Sequence, residues 1–219
     1  MLIGDTKGLS INLLKVKVED TFGIDVKIKE DKDEPIYAYD SIRHQYYSTK
    51  ILKNMLNKID NDCIKMLGIT NVDLCTPILD FVFGEAQLNG CVAIVSLRRL
   101  NPQFYGLKED LSLFTDRLLK EIIHELGHTF GLTHCNKSDC VMSLSTNIIK
   151  VDEKNATFCD ACFERLKKKI KGYGEVKSSN ITQYDGILNA AGLKFSECYY
   201  RQLEGGNNYV PRKNKNFSC

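Results

Sequence analysis

Residues 124–134 read His-Glu-Leu-Gly-His-Thr-Phe-Gly-Leu-Thr-His, and no other stretch constrains the fold of this chain as tightly. They close the clearest helical pattern in the sequence. Leu111, Phe114, Leu118, Ile122, Leu126 and Phe130 recur at three- and four-residue intervals, and Leu119 and Ile123 widen the stripe. On such a helix His124 and His128 sit one above the other and can present two imidazoles to one ion. Glu125 lies about 100° round the helix from His124, placed to act as a general base on a water. Helical geometry alone cannot deliver a third ligand from position 134. Gly131 tolerates positive φ, so it can end the helix and turn His134 back toward the ion. Three neutral imidazoles with an open fourth position make a catalytic zinc arrangement. A single histidine on a helix is usually structural, but three of the four histidines in the chain fall in this window. His44, the fourth, is expected to be surface or core structure.

A second cluster follows at once. Four of the nine cysteines lie between Cys135 and Cys162. Cys159 and Cys162 form a CxxC half-site, and Cys135 with Cys140 supplies a plausible other half, so four thiolates could close a structural zinc site. Buried thiols, a redox pair and an iron–sulfur cluster are the competing readings. Because Cys135 adjoins His134, an ion there would steady that ligand, and losing it should weaken both folding and catalysis. Cys63, Cys75 and Cys91 sit in apolar text and read as core; Cys198 and Cys219 are isolated.

The 219 residues are 43% hydrophobic and 26% charged, enough for an ordinary core. A net charge of +2, with lysines spread among acidic residues, gives no basic stripe for nucleic acid. The N-terminus lacks the pattern of a signal peptide, and no apolar run approaches the ~18 residues of a membrane span. A soluble, cytoplasmic monomer with no membrane or nucleic-acid partner is expected, in a compartment where clustered cysteines favour metal over disulfides.

Residues 9–22 suit either a strand or a helix. The alternation at 24–29 predicts a strand, 31–35 a polar turn, and 37–47 a loop or covering segment. Ile51, Met55, Ile59 and Cys63 stand four apart and predict a helix over 48–67, capped by Ser48 or Thr49. Strands are expected at 72–74, 80–84 and, most strongly, 91–97, whose nearly continuous apolar text reads as central in a sheet. A short helix is expected over 159–171, with Phe163, Leu166 and Ile170 on one side. Strands alternating with helices favour an α/β layered fold.

The spacing of the histidines, followed by Cys135, Cys140, Met142, Cys159 and Cys162, resembles the archaemetzincins, a branch of the metzincin zinc peptidases. The resemblance covers roughly residues 9–172, including the segments 43–52, 81–90 and 92–100. It implies two zinc ions per chain. The catalytic one is held by His124, His128 and His134 with Glu125 as general base, and the structural one by Cys135, Cys140, Cys159 and Cys162. Gly131 is then the helix-ending turn and Met142 the methionine of the Met-turn beneath the catalytic ion. The implied fold is a mixed twisted sheet beside the active-site helix with a smaller lower subdomain. A peptide substrate, short or extended, is expected to add as a strand along residues 81–86.

Two departures stand out. Family members begin with an extra apolar strand, of which only residues 2–4 remain here, and residues 173–219 exceed the family core. The domain division expected is 1–172 for the catalytic unit and 173–219 for an extension. A zinc metallopeptidase using a zinc-activated water is the leading reading. A non-catalytic zinc-stabilised interaction protein and a hydrolase of some non-peptide amide are the alternatives.

Overall fold

A computed structural model describes residues 1–6 and 9–174, so expectations for residues 175–219, Cys198 and Cys219 among them, lie outside the described residues. In chain order the elements are β1 (Leu2–Ile3), α1 (Ile11–Phe22), β2 (Glu30–Asp31), β3 (Tyr39–Asp40), β4 (Gln45–Tyr47), α2 (Ser48–Leu56), β5 (Met66–Thr70), β6 (Leu74–Cys75), β7 (Gly84–Ala86), β8 (Val92–Ser96), α3 (Leu111–Thr129), α4 (Ile148–Glu153) and α5 (Asp160–Gly174).

The apolar run expected at 91–97 becomes β8, buried at every position. It pairs with β5 in parallel and with β7 in antiparallel, inside a five-stranded mixed sheet of order β2-β1-β5-β8-β7. Alternation along a strand sends successive side chains to opposite faces. Val95 and Leu97 therefore join Leu14 and Phe22 of α1 and Leu118, Ile122 and Leu126 of α3 in one core. Gly68, opposite Ile94, faces the other way and lies against α2: a Cβ there would sit 2.9 Å from Met55 Sδ. The sheet thus lies between α2 on one face and α1 with α3 on the other. A second, three-stranded sheet of order β3-β4-β6 stands beside it.

The two-residue β1 is enough to keep the strand that the sequence leaves short, between β2 and β5. Its register corrects one expectation. Leu2 is opposite Glu30 and donates to Lys29 O at 2.8 Å, so residues 24–28 run ahead of β1 and the strand is confined to Glu30–Asp31. The ambiguous stretch 9–22 resolves as α1, stopped by Gly23 at φ 65°. The helix expected over 48–67 ends at Leu56, and its N-cap is Tyr47. Ser48 is inside the helix, and its hydroxyl lies within hydrogen-bond reach of Cys75 O and the Glu85 carboxylate instead. Met66–Thr70 leaves the helical period altogether because it pairs along its whole length with β8 and, at Ile69 and Thr70, with β1. The covering segment 37–47 contains the β3–β4 hairpin, with the exposed His44 in its turn at φ 53° and its ring 3.0 Å from Tyr39 Oη. Strands expected at 72–74 and 80–84 shift to β6 and β7, and Val82 forms only an isolated bridge to Leu74. Of the three cysteines expected in the core, Cys75 is buried while Cys63 and Cys91 are half-buried.

The helix carrying the histidines spans Leu111–Thr129, and Asp110 caps it by accepting from Leu113 N at 2.9 Å. After Gly131 the chain passes through α4 and α5, whose Val151, Cys162 and Leu166 pack with Ile122 and Leu126 of α3. α5 continues to Gly174, three residues past the helix end expected at 171. No helix among the described residues is long and apolar enough to cross a membrane.

Burial separates two isoleucines of identical chemistry. Ile94 is 0% exposed and Ile42, at the hairpin turn, is 90% exposed. Ile94→Ala should cost about 2–5 kcal/mol by deleting packed methyl groups. Ile42→Ala should leave stability within about 0.5 kcal/mol. Thermal or urea unfolding of the two variants checks both.

Candidate active site and metal centres

The end of α3 is built by two backbone hydrogen bonds. Gly131 N donates to His128 O at 2.8 Å and Leu132 N to Gly127 O at 3.1 Å, with Gly131 at φ 83°. This pair of bonds about a left-handed glycine reverses the chain after the last turn. It brings His134 back to the two helical histidines. The three rings lie 4.6, 5.4 and 4.9 Å apart between centroids, and one nitrogen from each falls within 4.8 Å of the others.

Ring orientation is set from behind. His124 Nδ1 lies 2.8 Å from Val141 O and His128 Nδ1 lies 2.7 Å from Leu132 O. A carbonyl can only accept, so each Nδ1 carries the proton and each Nε2 keeps its lone pair for the site. The two Nε2 atoms are 3.1 Å apart. Tetrahedral zinc with Zn–N bonds of 2.0–2.1 Å needs neighbouring nitrogens about 3.3 Å apart, so the donor set fits that ion. Burial holds all three imidazoles below the ordinary histidine range, His128 to about 4, which keeps them neutral.

Glu125 is buried beside them, 5% exposed. Burial, then the Glu121 carboxylate, pushes its pKa well up, with Glu85 adding to this and Lys154 opposing it. Strand β7 crosses directly above. A Cβ on Gly84 would stand 2.6 Å from Glu125 Cγ and 2.7 Å from Ile94 O, so only glycine lets the strand and the carboxylate approach this closely. Below, Met142 is fully buried, and its Sδ lies 2.5 Å from where a Cβ on Gly127 would be. Met142 thus underlies the helix between the two histidines that flank Gly127.

Cys135, Cys140, Cys159 and Cys162 place their four sulfurs within 4.8 Å of one another. Cys135 Sγ and Cys159 Sγ are 3.8 Å apart, the separation of about 3.8 Å that four thiolates at about 2.3 Å from one zinc would have. A hydrogen bond from the Cys162 backbone N–H is the chief cause that lowers the Cys159 thiol to about 7, while burial pushes the Cys140 and Cys162 thiols up. The two clusters share backbone: Cys135 N donates to Met142 O at 2.9 Å, and Val141, between Cys140 and Met142, supplies the carbonyl that orients His124.

The structure brings His124, His128 and His134 together, with Glu125 and Met142 beside them, and gathers Cys135, Cys140, Cys159 and Cys162 separately, while His44, Cys63, Cys75 and Cys91 lie apart from both clusters. Four participants had no signal in spacing or period. The carbonyls of Val141 and Leu132 belong to the backbone, where residue type carries no information. Gly84 reads as an ordinary strand breaker until β7 is seen above Glu125. Asn89 donates its N–H to His128 O at 2.9 Å from the turn between β7 and β8, with a positive φ of 55° that asparagine tolerates.

A sequence model of Peptidase family M54 matches residues 7–168. The chain is 43% identical over 167 residues to the archaemetzincin of Methanocaldococcus jannaschii, spanning 76% of this chain and 90% of that protein. It is 40% identical over 151 residues to the archaemetzincin of Methanopyrus kandleri, spanning 68% and 82%. The crystal structure of the Methanopyrus kandleri archaemetzincin aligns with a TM-score of 0.66 at 36% identity, over 78% of this chain and 93% of that one. That of the Archaeoglobus fulgidus archaemetzincin, complexed with malonate, aligns with a TM-score of 0.64 at 32% identity, over 75% and 96%. By sequence, fold and histidine geometry together, this chain belongs to Peptidase family M54, the archaemetzincins, and is a zinc metallopeptidase.

Proposed function

We propose that His124, His128 and His134 hold the catalytic zinc, that Glu125 is the general base, and that the four cysteines hold a second, structural zinc. The observation carrying this reading is the pair of Nε2 atoms 3.1 Å apart, turned toward each other by carbonyls behind them, with a buried carboxylate alongside. Residues 1–172 make up the catalytic domain in this reading, and 173–219 an extension to it.

A bound zinc would supply Lewis acidity, polarising the substrate carbonyl and acidifying water. The chain's own residues do the rest. Glu125 takes the proton from the attacking water and returns it to the leaving amine. Its burial places the carboxylate beside the histidines with little bulk water to compete for it. His124 and His128 are held in place by the carbonyls behind them, so they need little reorganisation as charge develops. The substrate is a peptide in extended form. β7 ends its sheet, so its outer edge can accept a further strand. Because Val82 is already bridged to Leu74, the usable edge within 81–86 is Gly84–Ala86, directly over Glu125.

Three outcomes test this. Glu125→Gln should retain two zincs per chain and lose about 10²–10⁴-fold in kcat on a mixed peptide library; loss of zinc instead, or unchanged turnover, would sink the assignment. Gly84→Ala should displace Glu125 and lower kcat about tenfold or more with zinc content unchanged, read by metal analysis and turnover together. In protein stripped of zinc, the histidines bind fewer protons folded than unfolded. For His128 the stability this contributes is present above its ordinary pKa of 6.5 and is lost as pH falls toward about 4. The melting temperature of the stripped protein should therefore fall progressively as pH drops across that window.

A further inference from the structure

We propose that Glu121 and Lys154 are positioning residues for the three-histidine site: their buried ion pair holds the cysteine-bearing segment against α3 at the register where the Val141 carbonyl meets His124. The inference rests on reading the two clusters as metal sites.

Lys154 is 0% exposed along its side chain and Glu121 is 4% exposed, with Nζ and Oε1 2.8 Å apart. Among the described residues neither atom has another hydrogen-bond partner. An ion pair so poorly supported gives little net stability, because desolvating both charges offsets their attraction. What it does provide is a short contact that fixes one segment relative to another, which an apolar pair of similar volume would allow to slide.

The segments it joins form a closed circuit. Lys154 ends α4 and leads straight into the stretch bearing Cys159 and Cys162. That stretch runs alongside residues 139–141: Asn155 N donates to Asp139 O at 3.0 Å, Val141 N to Thr157 O at 2.9 Å, and Cys159 N to Cys140 Sγ at 3.3 Å. Val141 O in turn meets His124 Nδ1. His124 lies three residues after Glu121 on α3, on the same side of the helix, and Glu121 returns to Lys154. Moving any one member shifts the carbonyl under His124. α4 has a separate attachment, since Arg117 makes two 2.7 Å contacts to Asp152. Removing the Glu121–Lys154 pair therefore leaves α4 docked and alters the circuit alone.

The test uses the full chain with Co(II) in place of zinc. Thiolate-bound cobalt shows sulfur-to-metal charge-transfer bands, whereas cobalt held by imidazoles shows only weaker ligand-field bands, so one titration reports both clusters. Lys154→Met and the double variant Glu121→Leu/Lys154→Met are compared with the parent. The double variant removes both charges and should unfold no more easily than the parent, so it stays informative if Lys154→Met alone fails to fold. Both clusters should still bind cobalt in the double variant. Its imidazole site should bind about 10–100-fold more weakly, with an altered ligand-field spectrum, and its zinc form should show reduced kcat at unchanged KM. Parent-like affinity and spectrum at the imidazole site would overturn the inference while leaving the two metal centres standing. A double variant that cannot fold would also overturn it, by making the pair a stability element. A parent that shows only one kind of cobalt site would overturn the two-centre reading itself, and this inference with it.

Discussion

Three imidazoles can share one ion only if their nitrogens converge to about 3 Å, and an α-helix can supply only two of them from adjacent turns. The remaining structure around the site follows from that limit. α3 must stop within one turn of His128, and it does so through the two hydrogen bonds about Gly131. Those bonds use the carbonyls of Gly127 and His128, leaving Leu132 O free to accept from the His128 ring. The same turn therefore ends the helix, delivers His134 and orients His128. A side chain at position 131 would be strained at φ 83° and would press on Asn89 Oδ1, 3.0 Å from the position of its Cβ.

Crowding polar rings inside a protein is costly unless each has a partner. The partners here are backbone carbonyls, which sit in fixed frames and have no rotamer freedom to lose. One belongs to the turn after α3 and the other to Val141, between two residues of the cysteine-bearing region. The second cluster is thus part of the first one's support. Its four cysteines draw together residues 135–142 and 159–162, and the carbonyl that orients His124 lies within the span so gathered. Gly127 and Gly84 complete the packing for one reason in two places. Met142 occupies the space where a Cβ at 127 would lie, and Glu125 the space where one at 84 would lie.

The parts legible in the sequence were those with a strong local period or a chemically specific spacing. α3 is legible because its apolar stripe and the histidine interval obey the same 3.6-residue repeat. Both clusters were readable because few residue types bind zinc and their spacing is short. The failures were elements decided by partners far along the chain. Residues 57–65 continue the four-residue spacing of α2, yet Met66–Thr70 is claimed by β1 and β8 on either side. Residues 24–29 alternate as a strand should, but β1 reaches back only as far as the Lys29 carbonyl, so the strand itself is confined to Glu30–Asp31. The Glu121–Lys154 contact was hidden for the same reason: it joins α3 to a segment more than thirty residues later, and each residue alone reads as ordinary surface charge.

The sheet and the metal site are tied together at the same helix end. His128 O accepts from Gly131 N and also from Asn89 N, and Lys65 Nζ donates to both Thr129 O and Gly90 O, at 2.8 and 2.6 Å. The last carbonyls of α3, which a helix leaves without internal partners, are thereby taken up by the turn that joins β7 to β8 and by the lysine entering β5. A lysine charge at a helix C-terminus is also favoured by the helix dipole. The consequence is geometric. β7 cannot rise or tilt over Glu125 without pulling on the turn that holds the His128 carbonyl. The open edge of the sheet and the histidine tripod are therefore held at one spacing by the same few hydrogen bonds, and an extended chain added to that edge would meet the carboxylate below it at a height already set.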